Sequence, residues 1–321
     1  MASSRLILAV PEPTAGTLVT YRPGAAKKIT CGLRLFPVSR LADRSGEFRR
    51  RSGSVPGERA LVRHRLLTAS EISMSADELS GTTALVTGAS RGLGRGVATA
   101  LAQAGATVVG VARDRGRLAA VRAELGGRFT AVEADAADPV TAGQLVDQYA
   151  PRLLVLAAGA SPLSRALHQH SWQSFSRNWE VDVQQVFHWT REALLRPLAP
   201  GSVVIAFSSG AAIAGSPLSG GYAGAKATIR HIASYAADES ERNGLGIRFV
   251  SVLPQLTPAT DLGAVAVAAY AARAGLDVAE FVASRGPALT PDQTGKAVLD
   301  LVTGSGNGAY LLSAAGLKEL H

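Results

Sequence analysis

The chain has 321 residues and 47% of them are hydrophobic, enough to bury the core of one ordinary domain with an extension to spare. No apolar run reaches the ~18 residues that span a bilayer, which excludes a membrane-spanning protein. The single cysteine, Cys31, excludes an intramolecular disulfide framework and a cysteine-built metal site, and fits a reducing, cytoplasmic setting.

The net charge of +8 is unevenly placed. Residues 1–73 hold 13 Lys/Arg against 5 Asp/Glu, whereas residues 74–321 hold 20 against 20, so the whole excess lies in the first segment. That segment has scattered Pro and Gly, the cluster Arg49-Arg50-Arg51, and no sustained helical or strand period, so it reads as a disordered basic extension. A second methionine, Met74, opens MSADELSGTTALVTG, the kind of short lead that precedes a first strand. Arginine outnumbers lysine 28 to 5, as GC-rich coding sequence gives, and the expectation is that the native protein starts at Met74. The alternatives are a basic arm that touches nucleic acid and an organelle presequence. Residues 74–321, with balanced charge, are not expected to bind nucleic acid.

From Thr82 short apolar runs alternate with helical patterns, which points to βαβ units and a parallel sheet covered on both faces. Ala84 to Gly88 reads as the first strand and Gly94 to Gly105 as the first helix. Between them Gly88, Gly92 and Gly94 form a G-x-x-x-G-x-G turn. Glycine there lets the backbone pass close to a pyrophosphate, whose charge is stabilised by the N–H groups and dipole of the helix N-terminus. The spacing differs from the G-x-G-x-x-G dinucleotide fingerprint. Thr107 to Ala112 is the second strand, with a helix over Arg115 to Leu125. Phe129 to Asp135 is the third, and Asp138-Pro139 supplies an N-cap and a first-turn proline for the next helix. Arg152 to Gly159 is the fourth, continuous enough to be central. Ser171 caps a helical region running to about Arg196, and Ser202 to Phe207 is the fifth strand. A helix carrying Tyr222 continues to about Arg242 and ends at Asn243-Gly244. Gly246 to Pro254 is the sixth strand, Pro291 to Val302 a last helix, and Ala309 to Ser313 the seventh strand. The fold class expected is therefore a doubly wound, seven-stranded parallel sheet, Rossmann-like, forming a single domain over residues 74–321.

The chemistry concentrates in Phe207 to Lys226, FSSGAAIAGSPLSGGYAGAK. Tyr222 and Lys226 lie one helical turn apart on one face. A free phenol, with a pKa of about 10, is a poor acid or base at neutral pH; a fixed ammonium beside it favours the phenolate and draws that value toward working pH. Ser209, at the end of the fifth strand, could place a hydroxyl beside the phenol. Tyr-x-x-x-Lys alone is more often a surface pair, and the serines alone would be strand-end residues. The combination with the glycine turn is what carries information.

Ser209, Tyr222 and Lys226, preceded by TGASRGLG (Thr87 to Gly94), resemble the short-chain dehydrogenase/reductase family from about Leu79 onward. The resemblance implies a nicotinamide-dependent oxidoreductase that interconverts a carbonyl and an alcohol by hydride transfer. Tyr222 is then the general acid/base, Lys226 tunes it and bonds the nicotinamide ribose, and Ser209 polarises the carbonyl. The cofactor-binding set implied is Gly88, Ser90, Arg91, Gly92, Leu93, Gly94, Arg113, Asp135, Ala158 and Gly159, together with Tyr222 and Lys226. Arg113, ending the second strand, and Arg91 are placed to accept a 2′-phosphate, which favours NADP (NADPH) over NAD; Asp114, one residue on, could instead reach a ribose hydroxyl. Asp135 would meet the adenine edge or cap a helix. A small-molecule carbonyl or alcohol partner and a homodimer or homotetramer follow from the same resemblance.

Three departures stand out. The fourth strand ends Leu156-Ala157-Ala158-Gly159 where the family has Asn-Asn-Ala-Gly, so asparagine contacts are lost but the glycine is kept. Asp182 stands at the usual catalytic asparagine, whose main-chain carbonyl is thought to hold a water; its carboxylate could pair with Lys226 or be only a helix-surface acid. Pro254-Gln255 replaces the common Pro-Gly. Residues 257–290 form the expected substrate lid, apolar and with helical patterns at Ala264 to Ala274 and Asp277 to Ser284. His168, His170 and Trp172 are expected at the pocket rim, with no metal assigned. A non-catalytic NADP-binding sensor or scaffold with the same fold is the alternative function.

Overall fold

The computed structural model describes residues 79–320. The basic segment 1–73, the Met74 start and the alternatives attached to them lie outside the described residues.

The strands are β1 (Thr83–Thr87), β2 (Thr107–Ala112), β3 (Phe129–Glu133), β4 (Leu153–Leu156), β5 (Val203–Phe207), β6 (Arg248–Pro254), β7 (Gly308–Ser313) and β8 (Gly316–Leu320). The helices are α1 (Gly92–Gln103), α2 (Arg115–Leu125), α3 (Pro139–Tyr149), α4 (Trp172–Asn178), α5 (Gln184–Leu195), α6 (Ala211–Ala214), α7 (Gly220–Arg242), α8 (Asp261–Ala274), α9 (Val278–Ala283) and α10 (Pro291–Thr303). They form one sheet in the order β3-β2-β1-β4-β5-β6-β7-β8, parallel from β3 to β7. The order reverses between β1 and β4, and that reversal opens a crevice at the carboxyl ends of the two strands.

Both faces of the sheet are buried, so its central strands are apolar throughout rather than alternating. Successive residues still serve different cores. Ala84 and Val86 pack with Val97, Leu101, Val298 and Leu301 beneath α1 and α10, while Leu85 packs with Leu145, Val186, Trp189 and Ile229 beneath α3, α5 and α7. The caps follow the sequence. Asp138 accepts from the N–H groups of Val140 and Thr141 at the start of α3, and Thr290 with Gln293 forms a capping box on α10.

The doubly wound parallel architecture agrees with the sequence, but the count of seven strands needs correction. An eighth strand, β8, pairs antiparallel with β7 through a tight turn that closes at Gly316, where φ is +108°. Its sequence, GLKEL, is short, half-exposed and charged, so no apolar pattern announces it. The single helix expected from Ser171 to Arg196 is also interrupted. Between α4 and α5 the residues Trp179–Val183 form a π-helical turn, which rotates Asp182 into the interior at 1% exposure. No described helix is long and apolar enough to cross a membrane.

A buried arginine ties the sheet to the last helix. Arg248, 2% exposed, donates to the carbonyls of Leu301, Val302, Gly304 and Gly306, which satisfies the C-terminal end of α10. Burial lowers its pKa from the ordinary value; the carbonyl partners engage Nη1 and Nη2, while Nε has no partner among the described residues. Helices α1 and α10 meet at glycines. A Cβ on Gly96 would lie 2.3 Å from the Pro291 carbonyl oxygen, and one on Gly295 2.6 Å from that of Gly96. Since backbone cannot yield as a flexible side chain can, Gly96→Ala should lose about 1–2 kcal/mol despite alanine's better helix propensity. A thermal melt should show the midpoint falling by several degrees; an unchanged midpoint would mean that the two helices are free to separate.

Candidate active site

The crevice at the β1/β4 reversal extends into a cleft of about 1600 Å³. Lining it together are Gly88, Ser90, Arg91, Gly92, Leu93, Gly94, Arg113, Asp135, Ala158, Gly159, Asp182, Ser209, Tyr222 and Lys226. The topology thus brings the residues singled out in the sequence, from seven separate segments, onto one surface.

The two loops at the reversal stand back to back. Gly88, at φ +71°, lies so close to the β4 loop that a Cβ would sit 2.8 Å from the Ala158 nitrogen, and a Cβ on Gly94 would sit 2.4 Å from the Gly88 carbonyl oxygen. Gly92, Leu93 and Gly94, the first residues of α1, line the cleft. The β4 loop, which lacks asparagine, is held by neighbours instead. The N–H groups of Ala157 and Ala158 donate to Thr87 Oγ1 at 3.0 and 3.2 Å, Thr87 donates to Gln185 Oε1, and Gln185 Nε2 donates to the Ala158 carbonyl at 2.8 Å.

The opposite end of the cleft is built on β5 and α7. Lys226 is 6% exposed. Its Nζ donates to the Phe207 carbonyl at 3.0 Å and lies 3.1 Å from Asp182 Oδ2, while Ser208 Oγ donates to the Lys226 carbonyl at 2.6 Å. The end of β5 and the first turns of α7 are therefore joined by two crossed hydrogen bonds. Asp182 Oδ1 accepts from the Ala160 N–H at 2.8 Å, and Asn178 Nδ2 donates to the Ala160 carbonyl at 2.7 Å. Asp182 Oδ2 makes its ion-pair contact without an aligned hydrogen bond. The reading of Asp182 as a helix-surface acid is thereby corrected: the π turn carries it inward to Lys226. Burial acts to depress the Lys226 ammonium, but the charges of Asp182 and Tyr222 outweigh it, and its pKa ends raised above 10.5. Nζ stands 5.5 Å from the centre of the Tyr222 ring. Among the described residues Ser209 Oγ accepts one local bond, from the Ala211 N–H at 3.2 Å, and donates none, which leaves its proton for a group in the cleft.

At the nucleotide end, Asp114 is engaged at home. It accepts from the Arg117 N–H at 2.9 Å as the N-cap of α2 and pairs with Arg117 Nε at 3.3 Å. Asp135 accepts from the Ala137 N–H at 3.0 Å, and the capping of α3 falls to Asp138, so Asp135 is not that helix's cap. Arg113 is exposed, and no carboxylate pairs with it among the described residues.

The sequence profile of short chain dehydrogenases matches residues 82–270. The chain belongs to the short-chain dehydrogenase family. An uncharacterized oxidoreductase of Methylorubrum extorquens is 32% identical over 197 residues, covering 59% of this chain and 79% of that one. An NADPH-dependent aldehyde reductase-like protein of Arabidopsis thaliana, described as chloroplastic, is 30% identical over 211 residues, 59% of this chain and 78% of its own. Among solved structures, the 3-ketoacyl-(acyl-carrier-protein) reductase of Brucella melitensis, complexed with NADH, superposes with a TM-score of 0.60 at 24% identity, covering 73% of this chain and 98% of that one. The family is one of oxidoreductases.

Not every expectation for this dehydrogenase holds. His168, His170 and Trp172 do not line the cleft; His170 Nδ1 lies 2.9 Å from Ser174 Oγ and Trp172 stacks on Phe175, so those two side chains serve the start of α4. Gln255 needs no glycine, because its φ is not positive and its N–H simply extends the β6–β7 ladder by donating to the Leu312 carbonyl at 2.8 Å. Residues 257–290, expected as a substrate lid, border the cleft through Leu262, Ala266, Val267, Tyr270, Phe281 and Val282. Tyr270 Oη meets Ser216 Oγ, which fastens α8 to the loop before α7. The sequence reading missed Thr87, Asn178, Ser208 and Gln185. Each is a polar residue inside an otherwise apolar or helical run, which is the one signal that could have found them.

Replacing Asp182 by asparagine keeps an oxygen for the Ala160 N–H while removing the charge. The folded Lys226 pKa exceeds its unfolded value, so the stability it contributes is fully present below about pH 10.5 and is lost only as pH climbs through the raised value. Asp182→Asn should therefore lower stability by about 3 kcal/mol at neutral pH. With Asp182 neutralised, burial is opposed only by Tyr222 and the folded ammonium's pKa should drop below its unfolded value; the unfolded chain then binds more protons, so the variant's melting temperature should rise with pH at values where the parent's stays flat. Calorimetry between pH 7 and 10 checks both; parallel pH profiles would show that the pair does not set the Lys226 protonation state.

Proposed function

We propose that this short-chain dehydrogenase is an NADP-dependent oxidoreductase that interconverts a carbonyl and an alcohol, with Tyr222 as general acid/base. One observation carries the reading: Tyr222, Lys226 and Ser209 share one cleft with a glycine turn at a helix N-terminus and with uncommitted Arg113. The residues suit a dinucleotide. The residues that open α1 line the cleft, where their N–H groups would meet a pyrophosphate, and Arg91 of the glycine turn and Arg113 at the end of β2 offer cations where a 2′-phosphate would be read. Asp114, held as a helix cap, is not disposed to take a ribose hydroxyl, which favours NADP over NAD.

A bound nicotinamide nucleotide supplies or accepts the hydride. The chain's own groups handle the oxygen and its proton. In the reducing direction Ser209 Oγ donates a hydrogen bond to the carbonyl oxygen and polarises it, and Tyr222 Oη delivers the proton that turns it into a hydroxyl. In the oxidising direction Tyr222 takes that proton back. Lys226 spends one donor on the Phe207 carbonyl and faces Asp182 with another, which leaves one for a ribose hydroxyl, and its fixed positive charge favours the phenolate form of Tyr222. The apolar lid excludes water from this chemistry and suits a carbonyl compound with an apolar body. The family resemblance extends the proposal to a homodimer or homotetramer, supported by Phe187 of α5 and Tyr235 of α7, 51% and 63% exposed.

A second reading, a nucleotide-binding sensor or scaffold without turnover, has one observation in its favour: Asp182 takes up charge that Lys226 would otherwise direct wholly at Tyr222. NADPH oxidation over a panel of aldehydes and ketones separates the two. Turnover is expected with the parent protein, and Tyr222→Phe should lower it by about 10²–10⁴-fold while NADPH still binds. Retained turnover in the variant would reject Tyr222 as the acid; nucleotide binding without turnover in the parent would favour the sensor.

A further inference from the structure

The start of the lid touches the glycine turn through a single carboxylate. Asp261, the first residue of α8, has Oδ2 at 3.1 Å from Arg91 Nη1 and at 3.1 Å from Arg117 Nη1. Arg91 belongs to the glycine turn and Arg117 to the first turn of α2, so three segments meet at one oxygen. Arg117 is steadied on its other edge by Asp114. Thr260, the N-cap of α8, lies over Gly92, where a Cβ would sit 3.4 Å from its methyl group. Hydrogen bonds from Arg117 and Arg91 hold the Asp261 carboxyl below its ordinary range, so it is charged at every working pH.

Two guanidinium groups that converge on one anionic oxygen, with the uncommitted Arg113 also at the end of β2, form an arrangement suited to a phosphate dianion. A carboxylate already occupies it. The bridge is exposed, with the three side chains at 46%, 47% and 63%, so it is held weakly and is cheap to open. A phosphate brings more charge and more acceptor oxygens to the same donors than Asp261 can.

We infer that Asp261 is an internal counter-ion of the 2′-phosphate site: it occupies Arg91 and Arg117 until a 2′-phosphate takes them, so that NADP(H), but not NAD(H), releases the first turn of the lid. Asp261 thereby weakens NADPH binding and links nucleotide identity to the position of α8. Arg117, which the sequence reading did not assign to the cofactor, joins Arg91 and Arg113 as a phosphate ligand. The inference rests on the nucleotide-binding reading above.

Titration of the parent protein and Asp261→Asn with NADPH and with NADH tests it, together with hydrogen exchange at residues 258–275 in each complex. The exposed position makes a folding failure of the variant unexpected, and its melting curve verifies that. The expected result is a Kd for NADPH about two- to fivefold lower in the variant, an unchanged Kd for NADH, and faster exchange at the start of α8 in the parent with NADPH than with NADH. Weaker or unchanged NADPH binding by the variant overturns the inference, because the carboxylate would then close over the nucleotide or act on nothing. Equal tightening for both nucleotides overturns it as well, by placing the repulsion at the diphosphate that they share. A parent protein that binds neither nucleotide would overturn the proposed function and this inference together, whereas binding of both with no dependence on Asp261 defeats the inference alone.

Discussion

The buried pair Lys226–Asp182 is the contact on which the geometry of the cleft depends. Two charges removed from water cost several kcal/mol each, and mutual attraction offsets this only where further hydrogen bonds satisfy the remaining donors and acceptors. Here they are nearly all present. Lys226 also donates to the Phe207 carbonyl, and Asp182 also accepts from the Ala160 N–H. The pair therefore spans the end of β5, the helix α7, the π turn before α5 and the loop after β4. The phenol of Tyr222, one turn from Lys226 on the same helix, is placed by the same set of bonds.

The π turn is what makes this pair possible. In a regular helix the extra residue between α4 and α5 would be absent, and Asp182 would point elsewhere on the helix surface. An aspartate rather than an asparagine at this position has two consequences. It keeps the backbone anchor at Ala160, which an asparagine oxygen could also make. It adds a negative charge beside the ammonium, which a neutral amide could not. The fold tolerates the replacement, and the chemical cost falls on how much of the Lys226 charge remains for its neighbour.

The far end of the cleft follows a different logic. There the charges lie in solvent, their contacts are individually weak, and arrangement matters more than strength. The arginines of the glycine turn and α2 stand ready for an anion, and the lid supplies one of its own from Asp261. One end of the cleft is thus preorganised by buried bonds while the other is held by contacts that a ligand can exchange. The lid helices α8 and α9 lie between them, with a small core of their own around Val267, Ala271 and Phe281.

Much of this protein was legible in the chain alone. The alternation of apolar runs with helical patterns determined the parallel sheet, since strands buried on both faces must be apolar throughout, and local signals such as Asp138-Pro139 and Asn243-Gly244 placed helix ends. Tyr222 and Lys226 were legible as a pair because helical periodicity relates residues four apart. Residues distant in sequence were not. Nothing local tells that Asp182 turns inward, that Gln185 and Thr87 hold the loop after β4, or that Asp261 reaches Arg91 across 170 positions. β8 escaped for the opposite reason, being so exposed that it carries no apolar pattern. Periodicity reports which face of an element is buried; which partner lies against that face is decided only when the chain closes on itself.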